Sequence, residues 1–328
     1  MQVSHDRLKA ARESARVVSI PMRTKFRGVA VREALLFRGT EGWAEWSPFT
    51  EYDDAEAATW LSAAVEFANE PTPVTLRDWV GVNATLPAVT PDQVPRALAP
   101  FGEFRTVKIK VAESGQKMAD DLARIRKVRE LFPHARIRLD ANGGYSVAAA
   151  MQLGYRLAHD GIDLDYFEQP VKTVAELAEL RPKLATKGIL IAADESVRKA
   201  EDPLAVARTG AADLLVIKAA PMGGITRAMR VIEEAGLPAV VSSALETSVG
   251  ISMGLQLAAS IPNLEYDCGL GTVALLTDDV TDEPLIAVDG KLPVGRVQVS
   301  ETKLNKLAAS PDRTAWWLAR LERCAQLL

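Results

Sequence analysis

Three acids and three lysines in this chain have the types and spacing to work together. Asp140, Glu168 and Asp194 each end a short run of β-forming residues. Lys110 and Lys218 end two more such runs, and Lys108 stands two residues before Lys110. Successive run ends are about 24 to 30 residues apart, room for one strand, one helix and two loops. Three carboxylates aimed at one point repel each other unless a cation sits among them. Oxygen donors with no suitable His or Cys favour a hard divalent ion such as Mg2+. A lysine on either side of that ion suits proton abstraction next to a substrate carboxylate. The ion would stabilise the second negative charge, and a lysine beside a cation has its pKa pushed down toward a useful base. Taken singly, each residue has a plainer reading. Asp140 precedes Asn-Gly-Gly and suits a turn, Asp194 could cap a helix, Glu168 could be an exposed loop acid, and Lys218 could pair with Glu195.

The elements that would position these groups read as a repeating alternation. The runs are 106–110, 136–142, 164–170, 190–196 and 213–218, with helical patterns between them such as 121–132, apolar at 122, 125, 128, 131 and 132. Parallel strands joined by crossover helices follow, and charged strand ends then share the catalytic face of a TIM-type barrel. Val107 and Ile109 alternate with Lys108 and Lys110, so apolar residues facing the outer helices turn both lysines inward. Runs at 80–87, 238–245 and 264–269 bring the strand count to eight, with seven regular helices between them. Residues 226–235 are one such helix, stopped by Gly236. The fold class is α/β, a modified TIM barrel, (β/α)7β, with an N-terminal α+β capping domain. The division expected is 1–77 for the capping domain and 78–290 for the barrel, with 291–328 a tail returning to the capping domain. In the first part, β-like runs at 16–22, 28–37 and 42–47 precede a helix at 53–67. The turn 39–42 makes a hairpin, and 1–16 is a helix or a loose lead-in.

Composition excludes several classes. The 328 residues are 48% hydrophobic and 25% charged, as in ordinary globular proteins. A net charge of −4 gives no support for nucleic-acid binding. The start of the chain lacks an apolar signal core and no window approaches a membrane span. Cys268 and Cys324 form neither a disulfide framework nor a metal knuckle, which points to a reducing compartment and a cytoplasmic protein. The expected partner is a small-molecule carboxylate; the oligomeric state is not legible.

Lys108-Ile-Lys110, Asp140-Ala-Asn142, Glu168-Gln-Pro170, Asp194-Glu-Ser196 and Ile217-Lys218, in this order and spacing, resemble the enolase superfamily, muconate-lactonizing subgroup. Members of that superfamily use a Lys or His base with Mg2+. The resemblance runs from the capping domain through the barrel to the tail. His5, His134 and His159 do not fit the His-Asp pair of mandelate-racemase-type members. Within the subgroup the chain is most similar to the dehydratases of menaquinone synthesis that form o-succinylbenzoate. It is short, its segment 242–250 (Ser-Ser-Ala-Leu-Glu-Thr-Ser-Val-Gly) resembles their succinyl-binding loop, and no Arg closely follows Lys218.

The resemblance implies roles. Lys110 would move the proton, Lys108 would neutralise the substrate carboxylate, and Lys218 would face the enediolate across the ring. Asp140, Glu168 and Asp194 would bind Mg2+, with Asn142 and Glu195 holding those ligands and Lys218. Ser242, Ser243, Leu245, Glu246 and Thr247 would contact substrate, and loops 23–28 and 46–52 would close over it. Other readings stand beside this one: an N-succinylamino acid racemase or dipeptide epimerase on the same scaffold, and, more distantly, a Schiff-base aldolase using Lys218 or a non-catalytic barrel.

Overall fold

The computed structural model describes residues 4–198 and 202–328. Helix α1 (His5–Glu13) leads into a three-stranded antiparallel sheet of β1 (Arg16–Phe26), β2 (Val29–Arg38) and β3 (Trp43–Trp46). Helix α2 (Asp54–Asn69) packs on it, its first turn acidic and its N-cap Asp53 accepting a hydrogen bond from the Glu56 amide at 2.8 Å. The 39–42 hairpin forms as expected between β2 and β3. Strand β1 runs on to Phe26, so the stretch 23–28 expected as a loop is the tip of a β hairpin.

A parallel sheet follows. After β4 (Trp79–Gly81) come β5 (Ala84–Leu86), α3 (Val94–Leu98), β6 (Thr106–Lys110), α4 (Met118–Leu131) and β7 (Arg136–Asp140). Next are α5 (Val147–His159), β8 (Leu164–Glu168), α6 (Val174–Ala185), β9 (Ile191–Ala193), α7 (Glu195–Arg198) and α8 (Ala205–Arg208). Then come β10 (Leu214–Ile217), α9 (Ile225–Ala235), β11 (Ala239–Val241) and α10 (Ser248–Ser260). Strands β5 to β11 pair in chain order.

The expected eighth strand at 264–269 is not an extended ladder. It makes single parallel bridges, Cys268 to Val82 and Gly269 to Ser242, and these join the two edges of the sheet. The Cys268 amide donates to the Gly81 carbonyl at 2.7 Å and the Gly269 amide to the Val241 carbonyl at 2.8 Å. The expected first strand is split into β4 and β5, with β4 pairing instead to β12 (Lys291–Pro293). Two of the seven expected helices are fragments. Pro100 follows α3 and Pro203 intervenes between α7 and α8, each withholding the amide donor that a longer helix would need there.

One parity rule organises the barrel. Tyr166, Ala192, Leu214, Val216 and Val240 form a buried cluster separate from the main core, and they fill the barrel interior. Glu168, Asp194, Lys218 and Ser242 each lie two residues beyond a member of that cluster, on the same face of the strand. Val107, Ile109, Ile137, Leu139 and Phe167 have the opposite parity and join the core under the helices. Among the described residues no helix is long and apolar enough to cross a membrane.

The chain end returns to the N-terminal sheet through α11 (Glu301–Lys306) and α12 (Pro311–Ala325). The Ser19 amide donates to the Leu307 carbonyl at 2.9 Å, and Trp317 is wholly buried with its ring edge-on to Trp46 at 5.4 Å. Trp317 Nε1 also donates to Glu33 at 2.9 Å. Glu45 ties this sheet to the barrel. Buried on β3, it accepts from the Thr247 amide at 3.0 Å, the Thr247 hydroxyl at 2.5 Å and the Gly250 amide at 3.1 Å, all at the start of α10. A Cβ on Gly250 would stand 2.5 Å from Glu246 Cβ, so this approach requires glycine. Burial, then repulsion from Glu246, pushes the Glu45 carboxyl up to about 7.

Two outcomes follow. Trp317→Ala should destabilise the protein by about 3–5 kcal/mol in denaturant unfolding, and a loss under about 1 kcal/mol would mean that the tail does not hold the sheet. Unfolded, Glu45 ionises near 4.5, whereas folded it keeps its proton to about 7, so stability falls as pH rises through that window. Glu45→Gln should lessen that fall by roughly 3 kcal/mol, seen as a flatter plot of unfolding free energy against pH. An unchanged slope would mean that Glu45 is ionised throughout.

Candidate active site

Pairing register brings the charged strand ends into one row. Lys110 lies opposite Asp140, and Asp140 opposite Glu168, while Asp194 and Lys218 directly follow β9 and β10. Left-handed residues Ala112 (φ 58°), Asn142 (φ 44°) and Gln169 (φ 34°) turn the chain just past the first three of these ends, and Leu245 (φ 66°) does so after β11. Non-glycine residues in this conformation are strained, and such strain gathers at functional sites.

The six groups neutralise each other at close range. Lys108 Nζ donates to both Glu168 oxygens at 3.0 and 3.1 Å and stands 3.4 Å from Asp140. Lys110 Nζ is 3.0 Å from Asp140 and donates to the Asn142 side-chain carbonyl. Lys218 Nζ donates to Asp194 Oδ2 at 2.5 Å, so its partner is Asp194 and not Glu195. All six are at most 8% exposed.

Their electrostatics follow from burial and then from neighbours. Burial works against the charge on Asp140, but Lys110 and Lys108 hold its carboxyl well below the usual range. Burial likewise opposes ionised Asp194, yet Lys218 and Arg198 bring it down to about 2. Glu168 is pushed up to about 7 by burial and by repulsion from Asp140, which Lys108 only partly offsets. Burial opposes charge on Lys108 too, but Glu168 and Asp140 raise it above an ordinary lysine.

The donor set fits a hard cation. It is all oxygen, it is buried, and Glu168 lacks enough positive charge nearby. The buried Glu195 Oε2 also has no hydrogen-bond partner among the described residues. In this arrangement the lysines take the carboxylate oxygens, and among the described residues no three Asp, Glu, His or Cys side chains stand ready-spaced to ligate an ion. Binding one therefore requires the lysines to give up some of these contacts.

Lys108, Lys110, Asp140, Asn142 and Lys218 line a cavity closed by Phe26, Arg27 and Phe49 from the N-terminal sheet, with Ser242, Ser243, Ala244 and Leu245 on its far wall. Both loops expected to cover the site thus contribute a residue. The enclosed volume is about 40 Å3, room for little more than water. A six-membered ring enters only if the hairpin tip or the Phe49 loop gives way. A larger recess of about 690 Å3 between Trp79 and residues 281–300 holds none of the strand-end groups, so size does not locate the chemistry here.

Glu246 and Thr247 do not line this cavity, against expectation. Thr247 is the N-cap of α10 and is bonded to Glu45, and Glu246 Oε2 accepts from the Ala244 amide at 2.6 Å. Both side chains are used at the junction of loop and helix. Asn142 and Glu195 touch each other at 3.1 Å, and the Asn142 amide donates to Asp140 at 3.1 Å.

Arg198 was not among the residues read from the sequence. It donates to Asp194 at 2.9 Å and to Glu195 at 2.7 Å. Its place four residues after Asp194, one helical turn on, was the available signal. Glu45 stands between apolar Ala44 and Trp46, a charged residue inside an apolar run, which was its signal.

The sequence matches the description "Enolase N-terminal domain-like" over residues 17–68 and "Enolase C-terminal domain-like" over 92–297. It is 49% identical to the o-succinylbenzoate synthase of Mycolicibacterium smegmatis, over 96% of this chain and 96% of that one. It is 48% identical to that of Mycobacterium tuberculosis, over 98% and 96%. Among solved structures, muconate lactonizing enzyme from Pseudomonas fluorescens superposes with a TM-score of 0.75 at 20% identity, over 90% of this chain and 98% of that one. The L-Ala-D/L-Glu epimerase of Bacillus subtilis gives 0.74 at 23%, over 87% and 96%. The two structures speak for the fold, the two sequences for the branch within it: the chain belongs to the enolase superfamily, in the family of the o-succinylbenzoate synthases.

Proposed function

We propose that the chain is a hydro-lyase that forms o-succinylbenzoate for menaquinone synthesis, by syn elimination of water from a succinyl-hydroxycyclohexadiene carboxylate. The observation that carries this reading is near-full-length identity of 48–49% to o-succinylbenzoate synthases, in a chain with a buried lysine on either side of a carboxylate row. Asp140, Glu168 and Asp194 would hold Mg2+. When bound, it supplies positive charge against the negative charge that develops on the substrate carboxylate.

The protein's own groups do the rest. Lys110 takes the proton from the carbon next to the carboxylate. The C–H electrons pass into the enediolate and then expel hydroxide from the neighbouring carbon. Lys110 returns the proton to that hydroxide on the same face, and water and an aromatic ring result. Lys108 neutralises the substrate carboxylate. Lys218, at the end of β10 with three strands between it and β6, faces the developing charge as a cation over the ring. Asn142 orients Lys110 by accepting its hydrogen bond. Arg27, Phe26 and Phe49 close the site and exclude water. Two buried free thiols suit a reducing compartment such as the cytoplasm.

The lysine on each face also supports a second reading, racemisation of an N-succinylamino acid, which needs one base per face. The wash-in of deuterium at such an α-carbon without loss of hydroxyl would favour it.

Excess EDTA should abolish dehydration by the purified protein and added Mg2+ should restore it. Asp194→Asn should lower activity by about 10- to 100-fold or more through weakened metal affinity. Full activity in EDTA would overturn the metal assignment. The two lysines should separate by proton exchange in heavy water with a non-eliminating succinylamino acid. Lys218→Arg should still exchange the α-proton of one enantiomer, and Lys110→Arg should not exchange that enantiomer. The reverse pattern would put the base on the other face.

A further inference from the structure

Arg32, on β2, is only 3% exposed, yet its hydrogen bonds go to uncharged acceptors. Nε donates to the Leu245 carbonyl at 3.1 Å, and Nη2 to the Ala244 carbonyl at 3.2 Å and to the Ser47 hydroxyl at 3.0 Å; Nη2 also reaches the Ser47 carbonyl, and Nη1 the Glu33 carbonyl at 3.4 Å. The guanidinium lies 4.7 Å from the centre of the Phe49 ring. Burial opposes this charge and the nearby Glu45 and Glu246 carboxylates favour it, yet the guanidinium's hydrogen bonds go to chain segments and not to those acids. Here two segments are held, and both are cavity walls: Ala244 and Leu245 on the barrel side, Phe49 on the other. Leu245 is in the left-handed region, φ 66°, where a leucine does not rest unaided. Arg32 grips the carbonyl of the strained residue and the one before it.

We infer that Arg32 is a positioning residue for substrate binding, holding the strained turn at Leu245 against the Phe49 loop so that the cavity wall is set before substrate arrives. This rests on the function proposed above. Arg32 makes no hydrogen bond to the strand-end lysines or carboxylates, so its loss acts on binding and leaves proton transfer intact.

The test is a double-mutant cycle of Arg32→Lys and Leu245→Gly, with KM and kcat for dehydration in Mg2+ and thermal unfolding of each variant. Lysine keeps the charge but cannot span two carbonyls. Arg32→Lys should raise KM about tenfold, as for loss of a charged hydrogen bond, with kcat within about threefold. Glycine adopts the positive φ without strain, so the turn no longer needs the guanidinium. The factor by which Leu245→Gly changes KM should therefore be at least about threefold more favourable in the Arg32→Lys background than in the wild type. Loss of the leucine side chain occurs in both backgrounds and cancels. Equal factors in the two backgrounds would overturn the inference. So would a fall in kcat at unchanged KM, or an Arg32→Lys protein without cooperative unfolding, which would make the residue structural. An active wild type whose cycle fails sinks this inference alone, whereas an inactive wild type overturns the function and the inference together.

Discussion

The arrangement depends on the mutual neutralisation of buried lysines and carboxylates at the ends of β6 to β10. An unpaired buried charge costs several kcal/mol, and removing one partner of a buried pair is worse than replacing both. Lys108, Lys110 and Lys218 are spread over the carboxylates of Asp140, Glu168 and Asp194, and Glu168 is the group left short. The same imbalance that makes the cluster costly is what suits it to the divalent cation proposed for it. Strand pairing keeps the groups together, since Lys110, Asp140 and Glu168 share one register across three strands.

Everything else serves to make that row a closed, dry place. The apolar interior cluster under it fixes which face of each strand looks inward. The bridges from Cys268 and Gly269 join the sheet edges, which a seven-stranded sheet alone would leave open. The N-terminal sheet supplies the lid residues, and it is held by α12 on one side and by Glu45 and Arg32 on the other. The cavity walls at Phe49 and at the Leu245 turn therefore share a fastener in Arg32.

The strands that carry the lysines and acids were legible because each is a short apolar alternation with a charge at its end, and period two fixes the direction of every side chain along it. Val107 and Ile109 outward put Lys108 and Lys110 inward without any knowledge of partners. What was missed acts across the chain. Arg32 and Leu245 are 213 positions apart, and nothing local in either predicts the contact. The resemblance of segment 242–250 to a succinyl-binding loop makes Glu246 and Thr247 expected substrate contacts, but helix α10 starts one residue after Thr247 and takes both side chains for its own junction. The last strand failed for a related reason: two bridges suffice to close the barrel, so 264–269 need not be extended along its length.

The most direct measurement follows aromatic product by absorbance when purified protein meets the succinyl-hydroxycyclohexadiene carboxylate in Mg2+, wild type beside Lys110→Ala. The account predicts steady formation of o-succinylbenzoate by the wild type and only the uncatalysed rate with Lys110→Ala. A wild type that forms no aromatic product, or a Lys110→Ala protein that still forms it at a comparable rate, would contradict the assignment of the lysine and carboxylate row as the dehydrating centre.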